Sequence, residues 1–459
     1  MKINNLKGYK DLFRGYTELR VQENRSTSVS IVDGTLMGNS RNSESGVSAR
    51  CWKMGSWGFA SSSELNSDAI KHVISAASFN ADFLNKKADK NLGDLPGGHG
   101  FGEWDHSFKG TPLTQKQIID FLRDIDGYME KSFPLLVSRT VAMNSLDMEK
   151  QVLTSGGSGA WSLTPRTLVY AVLTVDSPAG PVELYDSLGG RGQPSAVLID
   201  PSEFYGKLGR LYEHLLKKAE GIHPRAGIAD CILDADLAGI LSHEAIGHTT
   251  EADCVRGGSV AGDCLGRSVA TPLVTLIDYA NTAHGETCPV PVYVDDEGIP
   301  AKDVTIIENG VLKGFMHNRE SALEFNADPT GNARAYKFSD EPLIRMRNTA
   351  IVPGSSSLEE MISSIEDGYY LMKSSNGQAD ATSEFMFGVV QGYEIKNGKL
   401  GRALKDMTIS GVAFDVLKTV SAVSGDMKWE CGGMCGKKQP IPVGMGGPAI
   451  KCRVNIGGK

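Results

Sequence analysis

Apolar and polar residues alternate along much of the first third of the chain, the pattern of half-buried β-strands. Residues 17–23 alternate in this way, and residues 27–32 repeat the pattern before Asp33-Gly34, a pair that favours a hairpin turn. Residues 46–61 are punctuated by glycine and rich in aromatic and β-branched side chains, which predicts another pair of strands. Further strands are predicted at residues 135–144, 149–154 and 166–175.

Three segments show the apolar period of amphipathic helices, and we expect them to pack against this sheet. They are residues 63–87, 114–132 and 201–219. The stretch 221–227 is rich in residues that break secondary structure and marks a natural domain boundary. We therefore predict an N-terminal domain of sheet plus helices at residues 1–225 and a C-terminal domain at residues 226–459.

The second half of the chain is predicted to be rich in β-structure. A strand at residues 231–234 leads into a helix that begins near Asp236. Asn309-Gly310 and Asn397-Gly398 each lie between two short alternating runs, a strong signal for a β-hairpin. The main helices of this half are predicted at residues 358–365 and 412–420. The whole pattern predicts an α+β fold.

The helix near Asp236 carries the motif His-Glu-x-x-x-His at residues 243–248. The zinc-peptidase signature His-Glu-x-x-His is one residue shorter, and its two imidazoles lie about 40° apart on a regular helix. In the longer motif His243 and His248 would diverge by roughly 140°. A one-residue π-bulge would bring them together, and Gly247 permits such a distortion. Glu244 would then lie beside a metal, where a general base belongs.

Composition limits the class of protein. The chain has 459 residues, a net charge of −8 and no basic run, which argues against a general nucleic-acid binder. The N-terminal residues lack the apolar segment of a secretory signal, and no stretch approaches the length of a transmembrane helix. Eight scattered cysteines in such a chain predict reduced thiols and a cytoplasmic location.

A catalytic metal site usually has three protein ligands, so two histidines need a partner. The nearby candidates are Glu251, Asp253 and Cys254, and a distant candidate is the Gly-rich stretch that contains Cys431 and Cys435. The spacing alone leaves these alternatives open. A histidine pair on a helix is also often a surface or packed pair without a metal.

A Gly-rich loop at residues 91–111 carries a second set of possible ligands. These are His99, Glu103 and His106. We favour a flexible surface loop over a second metal site, because Gly-rich loops rarely hold preorganised ligands. The length of the loop is also typical of a lid or a contact with a partner.

The sequence resembles the TldD/PmbA family of metallopeptidases, historically described as modulators of DNA gyrase. The resemblance covers nearly the whole chain and rests on several blocks in the right order. These are residues 46–50, 55–61, 243–248 with Glu251, 330–334, 345–349, 434–437 and 442–444. The histidine motif indicates the TldD branch, because the PmbA (TldE) branch typically lacks it. Two departures, at residues 410–412 and 438–439, leave the proposed ligands untouched.

The resemblance implies a divalent metal held by His243, His248 and Cys435 in the β-rich C-terminal domain, with Glu244 as general base. Cys431 is the main rival to Cys435, because a single short loop joins them. Two imidazoles and a thiolate suit zinc, and iron is also compatible with this ligand set. The implied reaction is peptide hydrolysis, in which Glu244 takes a proton from water that the metal activates.

Family membership also implies substrates that are unfolded or extended peptides, bound as an added strand. It implies a dimer, formed with a second copy or with a PmbA/TldE-type paralogue, and no membrane contact. The alternative function is a non-catalytic protein with a structural metal site, which binds peptides or regulates gyrase. The acidic balance of the chain argues against direct contact with nucleic acid.

Overall fold

The N-terminal part of the chain builds one seven-stranded sheet in the computed structural model, which describes residues 6–88 and 92–457. Its strands are β1 (Tyr16–Val32), β2 (Thr35–Lys53), β3 (Ser56–Ser62), β4 (Phe101–Asp105), β5 (Leu136–Thr154), β6 (Gly159–Ser177) and β7 (Gly180–Arg191). They follow the order β3-β2-β1-β5-β6-β4, and β7 also pairs with β6. The pairing of β4 with β6 is parallel and the others in this sheet are antiparallel.

The strand β1 is continuous, although its hydrophobic pattern predicted two strands. The polar residues 24–26 pair with β2 on one side and with β5 on the other, so the hydrogen-bonded ladder carries them. Asp33 and Gly34 both have positive φ, as the predicted hairpin turn requires. Beyond this turn, residues 35–45 of β2 are largely exposed, which explains why they show no amphipathic signal.

The three long helices predicted for this part are confirmed. The helices are α1 (Ser67–Asn85), α2 (Gln115–Ser132), the short α3 (Pro194–Val197) and α4 (Ser202–Ala219). A capping box between Thr114 and Gln117 starts α2. The buried faces of α2 and α4 pack on the sheet around Val29, Val141 and Leu173.

The C-terminal part is rich in short strands, as predicted. They are β8 (Gly227–Leu233), β9 (Leu276–Tyr279), β10 (Thr282–Ala283), β11 (Glu286–Thr287), β12 (Val304–Glu308), β13 (Val311–Leu312), β14 (Ala333–Arg334), β15 (Leu343–Ile344), β16 (Asn348–Ile351), β17 (Asp367–Ala379), β18 (Glu384–Lys396), β19 (Lys399–Ala403), β20 (Met407–Val412), β21 (Ala422–Val423), β22 (Lys428–Glu430), β23 (Met434–Cys435), β24 (Ile441–Pro442), β25 (Gly444–Gly447) and β26 (Ile450–Gly457). Both predicted hairpins are confirmed, since Asn309-Gly310 joins β12 to β13 and Asn397-Gly398 joins β18 to β19.

The helices of this part are short. They are α5 (Ala235–Ile240), α6 (Ala252–Arg256), α7 (Arg319–Phe325), α8 (Leu358–Ser363) and α9 (Ala413–Leu417), with a π-helical segment at Leu241–Gly247 and 3-10 turns at Leu6–Leu12, His248–Thr250 and Val260–Cys264. The predicted helix at residues 412–420 is longer than α9, which ends at Leu417. In residues 6–88 and 92–457, no helix has the length and apolar character needed to span a bilayer.

Five strands of this part close into a barrel. Their spatial order is β17-β8-β26-β20-β18, and the last strand, β18, also pairs with the first, β17. Asp234, directly after β8, caps α5 through a hydrogen bond from the Ala235 N–H. The helix α5 then packs between β17 of the barrel and β25 of a second, six-stranded sheet. The predicted α+β class is confirmed, and the barrel fixes where the His-Glu-x-x-x-His segment begins.

Buried ion pairs join the N-terminal sheet to the C-terminal part. Arg50 of β2 pairs with Glu297 and, at 2.9 Å, with Glu18 of β1. Lys150 of β5 lies 2.6 Å from Asp296. Charges buried at such a contact must be paired to be tolerated. The division into domains at residues 1–225 and 226–459 stays a prediction.

Candidate metal centre

The helix that carries the two motif histidines widens where they lie. Residues Leu241–Gly247 are π-helical, and the His248 N–H donates to the His243 carbonyl oxygen five residues back. This extra residue per turn brings both imidazoles to the same side of the helix. Their ring centroids are 5.1 Å apart and their planes are 80° apart. The predicted widening near Gly247 is therefore present in the structure.

Gly247 serves packing as well as backbone freedom. Its φ and ψ are −59° and −54°, ordinary helical values that any residue adopts. A Cβ at this position would overlap the sulfur of Met346 and lie 3.2 Å from the Ser242 carbonyl oxygen. Met346 is itself fully buried. The absence of a side chain at Gly247 thus lets the widened helix sit against its neighbour.

Cys435 is distant from the two histidines in sequence but lies close to them in the structure. Its sulfur lies 3.2 Å from His248 Nε2, and candidate ligand atoms of His243, His248 and Cys435 all lie within 4.8 Å of one another. Burial would raise the pKa of the Cys435 thiol, but the contacts with His243 and His248 outweigh it and lower the pKa to about 4. The lowered pKa favours the thiolate form of Cys435.

The chemistry of these residues fits a metal. His243 is fully buried, yet neither of its ring nitrogens has a hydrogen-bond partner among the described residues. Buried polar atoms without partners are costly, and a site for a ligand explains them. Two imidazoles and a thiolate form a donor set suited to a first-row divalent cation. The three residues can hold such an ion together.

Glu251 orients His248 from behind. Its Oε2 atom lies 2.9 Å from His248 Nδ1, on the side of the ring away from Cys435. Burial would raise the pKa of Glu251, but the charges of His248 and Lys437 outweigh it and lower the pKa to about 2. A carboxylate in this position fixes the ring orientation and leaves Nε2 free to bind a metal. Glu251 was a candidate third ligand in the sequence, and the structure places it behind the imidazole.

Glu244 lies beside the candidate ligands and remains partly exposed. Its two carboxylate oxygens lie 3.9 Å from His243 Nε2 and 3.8 Å from His248 Nε2. About a quarter of the side chain is open to solvent, whereas His243 is fully buried. The position next to both ring nitrogens, with access to water, is the one expected of a general base.

Two cations fix the loop that carries Cys435. Arg345 is fully buried and donates to the carbonyl oxygens of Cys435, Lys437 and Gln439. Lys437 donates to Glu251 at 2.9 Å and to Asp253 at 2.7 Å, so it joins this loop to the end of the motif segment. Neither residue was predicted from the sequence to have a role. Their only signal was their presence in the family blocks at residues 345–349 and 434–437.

The rival cysteines lie elsewhere. The Cys431 carbonyl oxygen accepts a hydrogen bond from Arg166 Nη1, and its side chain lies against Gly190 of the N-terminal sheet. Cys254 belongs to a second group of possible ligands with Glu251 and Asp253, but Lys437 occupies the carboxylates of that group.

The segment at residues 92–111 lies along the C-terminal part, and residue 91 falls outside the described residues. It contains the strand β4, where the sequence pattern predicted a loop. Trp104 and His106 stack on Tyr293, and Arg319 donates to the Gly98 carbonyl oxygen at 2.9 Å. In the described part of the chain, His99, Glu103 and His106 do not form a group of possible metal ligands.

Comparison with known proteins gives the same class of protein as the fold and the site. Residues 226–458 match the PmbA/TldA metallopeptidase C-terminal domain, and residues 17–81 match domain 1 of the same family. The chain belongs to the PmbA/TldD metallopeptidase family, and it is a metalloprotease homologous to TldD. The resemblance inferred from the sequence is confirmed.

Some relatives match nearly the whole chain and others a little over half of it. A metalloprotease from Methanothermobacter thermautotrophicus is 30% identical over 451 residues, which cover 95% of this chain and 94% of the relative. A zinc metalloprotease TldD homologue from Saccharolobus solfataricus is 34% identical over 263 residues, 57% of this chain and 58% of that protein.

A solved structure of TldE from Thermococcus kodakarensis has the same fold, with a TM-score of 0.77 at 18% identity. It covers 99% of both chains. A Thermotoga maritima structure described as a candidate modulator of a DNA gyrase has a TM-score of 0.77 at 21% identity, over 96% of this chain and 95% of that chain.

Proposed function

We propose that this protein hydrolyses unfolded or extended peptides at a divalent metal held by His243, His248 and Cys435, with Glu244 as general base. The observation that carries the proposal is the π-helical segment Leu241–Gly247. It turns both imidazoles toward the Cys435 sulfur and leaves the Glu244 carboxylate beside them. Short π-helical segments of this kind are frequent at functional sites.

Zinc is the proposed metal. The ligand set suits it, and a relative that is 34% identical carries zinc in its description. Iron is the alternative that the same donor set accepts. When bound, such a cation polarises the scissile carbonyl and makes water a better nucleophile at neutral pH.

The residues of the chain divide the remaining work. Glu244, which is partly exposed, accepts a proton from the attacking water at a carboxylate oxygen and donates it to the leaving amide nitrogen. Glu251 holds His248 through Nδ1, and Lys437 in turn holds Glu251. Arg345 fixes the main chain at Cys435. These contacts fix the positions of His248 and Cys435 before a substrate binds.

The test combines metal analysis with an assay on an unstructured peptide. We expect the purified protein to bind about one metal ion per chain, and a chelator to abolish hydrolysis until the metal is restored. Glu244→Gln should retain the metal and lower kcat by roughly 10²- to 10⁴-fold, the range ascribed to general acid–base catalysis. Turnover close to that of the wild type in metal-loaded Glu244→Gln would exclude Glu244 as the base.

The assay also separates catalysis from the alternative function. A protein that binds one metal, keeps Glu244 and cleaves no peptide would be a non-catalytic binder of peptides or a regulator of gyrase. We further propose that the chain forms a dimer with a second copy or with a PmbA/TldE-type paralogue. The family resemblance supports this. The native molecular mass in solution, measured for the protein alone and mixed with such a paralogue, tests it.

A further inference from the structure

A cavity lies between the N-terminal sheet and the C-terminal part. One wall is the face of the sheet on which β5 and β6 pair, so that Met148 lies opposite Thr164 and Leu146 opposite Arg166. The other wall is formed by residues 289–296, with Arg334 and Pro442. The apolar side chains on the two walls include Leu146, Met148, Val152, Val290, Val292 and Val294.

The lining of the cavity includes a residue of β24, the strand that pairs with the strand of Cys435. Pro442 lines the cavity and pairs with Met434, the residue before Cys435. Arg166, which also lines the cavity, donates from Nη1 to the Gly433 carbonyl oxygen at 3.1 Å. At its other side the cavity is bounded by Trp104, which stacks on Tyr293 at 4.9 Å. A peptide with its scissile bond at Cys435 and the two histidines would therefore place a flanking residue in or near this cavity.

Two of the cations that line the cavity, Arg166 and Arg334, have no counter-ion within 4.0 Å among the described residues. Arg334 donates to the carbonyl oxygens of Met346 and Pro442. Lys150 is paired with Asp296 at 2.6 Å. Arg166 has only the Cys431 and Gly433 carbonyl oxygens and the Met434 sulfur as acceptors, and none of the described carboxylates lies within 4.0 Å of it. Burial lowers the pKa of Arg166, which is the sign of a cation removed from water. A half-buried guanidinium of this kind gains from an anion.

The guanidinium also has donors to spare. Its Nη1 hydrogens are used by the two carbonyl oxygens, and Nη2 makes one contact with a sulfur. The Nε hydrogen and one Nη2 hydrogen have no acceptor among the described residues. The Nε and Nη2 atoms form one edge of the guanidinium, and such an edge can bind a carboxylate through two parallel hydrogen bonds.

We propose that this cavity is a substrate subsite, which binds a large apolar side chain while Arg166 binds a carboxylate of the same peptide. The proposal rests on the proposed function and specifies its substrate class. The carboxylate is either the C-terminus of the peptide or an acidic side chain next to the apolar residue. Both present the same group to Arg166, and the experiment distinguishes them.

The experiment measures peptide binding to metal-loaded Glu244→Gln protein, so that the peptide is not consumed. The probes are fluorescein-labelled unstructured octapeptides that differ only at the C-terminal end. They end in leucine as the free acid, alanine as the free acid, leucine amide, or leucine amide preceded by aspartate. We expect leucine acid to bind roughly 10- to 50-fold tighter than alanine acid, because a buried leucine side chain gains this much over alanine.

The amide peptides locate the carboxylate. If Arg166 binds the C-terminus, leucine amide loses at least fivefold in affinity and the aspartate does not restore it. If Arg166 binds a side chain, leucine acid and leucine amide bind alike, and the aspartate peptide binds at least fivefold tighter than either. Arg166→Met should remove these differences, whereas Arg166→Lys should retain part of them. Equal affinity for all four peptides, or no binding of any of them, overturns the subsite.

A cavity-filling variant supplies the second test. Met148→Trp should fill the cavity and lower affinity for leucine acid at least tenfold while affinity for alanine acid changes less than twofold. Met37→Trp places the same residue on an exposed position of the same sheet and should change neither. Thermal unfolding and metal content serve as controls for the folding of both variants. Unchanged leucine preference in Met148→Trp contradicts the proposal.

These outcomes are separate from those of the proposed function. If metal-loaded wild-type protein cleaves no peptide but leucine acid binds selectively, the peptidase assignment fails and the subsite stands. If the wild type cleaves peptides without preferring leucine over alanine, the subsite fails and the peptidase stands.

Discussion

Two stretches of this chain carry the same kinds of metal-ligating side chains, and the fold uses them differently. In the motif segment, His243 and His248 converge on Cys435 with Glu244 beside them. In the segment at residues 92–111, His106 stacks on Tyr293, and His99 lies exposed beside Gly157. The first stretch forms a candidate metal centre, and the second forms part of the contact between sheet and C-terminal part.

The backbone explains the difference. A π-helical segment places residues five apart on one face, so the spacing from 243 to 248 becomes an advantage. The strand β4 lies between His99 and His106, and an extended strand rises about 3.3 Å per residue, so it keeps the two histidines apart. Ligand residues close together in sequence therefore form a site only when the period of the backbone matches their spacing.

The largest expected effect comes from removing the thiolate. Cys435→Ala should lower metal affinity by roughly a hundredfold or more and abolish peptide hydrolysis, because one of three ligands is lost. Cys431→Ala should leave both nearly unchanged, since its side chain lies against Gly190 and not beside the histidines. Metal content by mass spectrometry and a chelator competition measure both variants. Loss of metal in Cys431→Ala, with retention in Cys435→Ala, would reverse the assignment.

Glu251→Gln should have the next largest effect. It keeps the shape of the side chain that contacts His248 Nδ1 but removes the charge that orients and strengthens the imidazole. We expect metal affinity or activity to fall about 10- to 100-fold. Asp253→Asn is the matched control, because Asp253 also contacts Lys437 but not His248. Equal effects of the two changes in a chelator competition would mean that the contact with Lys437, and not that with His248, matters.

Gly247→Ala tests whether the widened helix needs its close packing. The new Cβ would overlap the buried Met346 and crowd the Ser242 carbonyl oxygen, so the free energy of unfolding should fall by about 1–3 kcal/mol. Gly209→Ala in α4 is the control, because a Cβ there meets nothing within 4 Å. That change should raise stability by about 0.4–1 kcal/mol. Denaturant unfolding of both variants gives the comparison, and a neutral Gly247→Ala would mean that Met346 moves aside freely.

The fold was predictable where the sequence pattern matches the burial. The helices α1, α2 and α4 bury regular apolar faces, and the two Asn-Gly turns require positive φ that these residues adopt readily. The strand β7 was missed because Gly180, Pro181, Gly189 and Gly190 make its sequence look like a loop. Only pairing along β6 reveals it as a strand. Long-range pairing leaves no local signal in such a segment.

The candidate site divides in the same way. His243, Glu244 and His248 form a local motif, and the need for a widened helix follows from their spacing. Cys435 is distant in sequence, and nothing in local periodicity selects it over Cys431. The family resemblance selected it, and the structure places it beside His248. Arg345 and Lys437 are cations whose partners are main-chain or distant carboxylate groups, so their role emerges only from the folded chain.

The smallest expected effect belongs to the second histidine stretch. The double change His99→Ala and His106→Ala should leave metal content unchanged, because neither residue belongs to a group of candidate ligands in the described part of the chain and β4 separates the two. Loss of the stacking of His106 on Tyr293 should lower the free energy of unfolding by only about 0.5–1.5 kcal/mol. Metal analysis and denaturant unfolding of the variant measure both. A drop in bound metal would show that this segment holds an ion. The difference between a π-helical segment and an extended strand would then not determine which histidines bind metal.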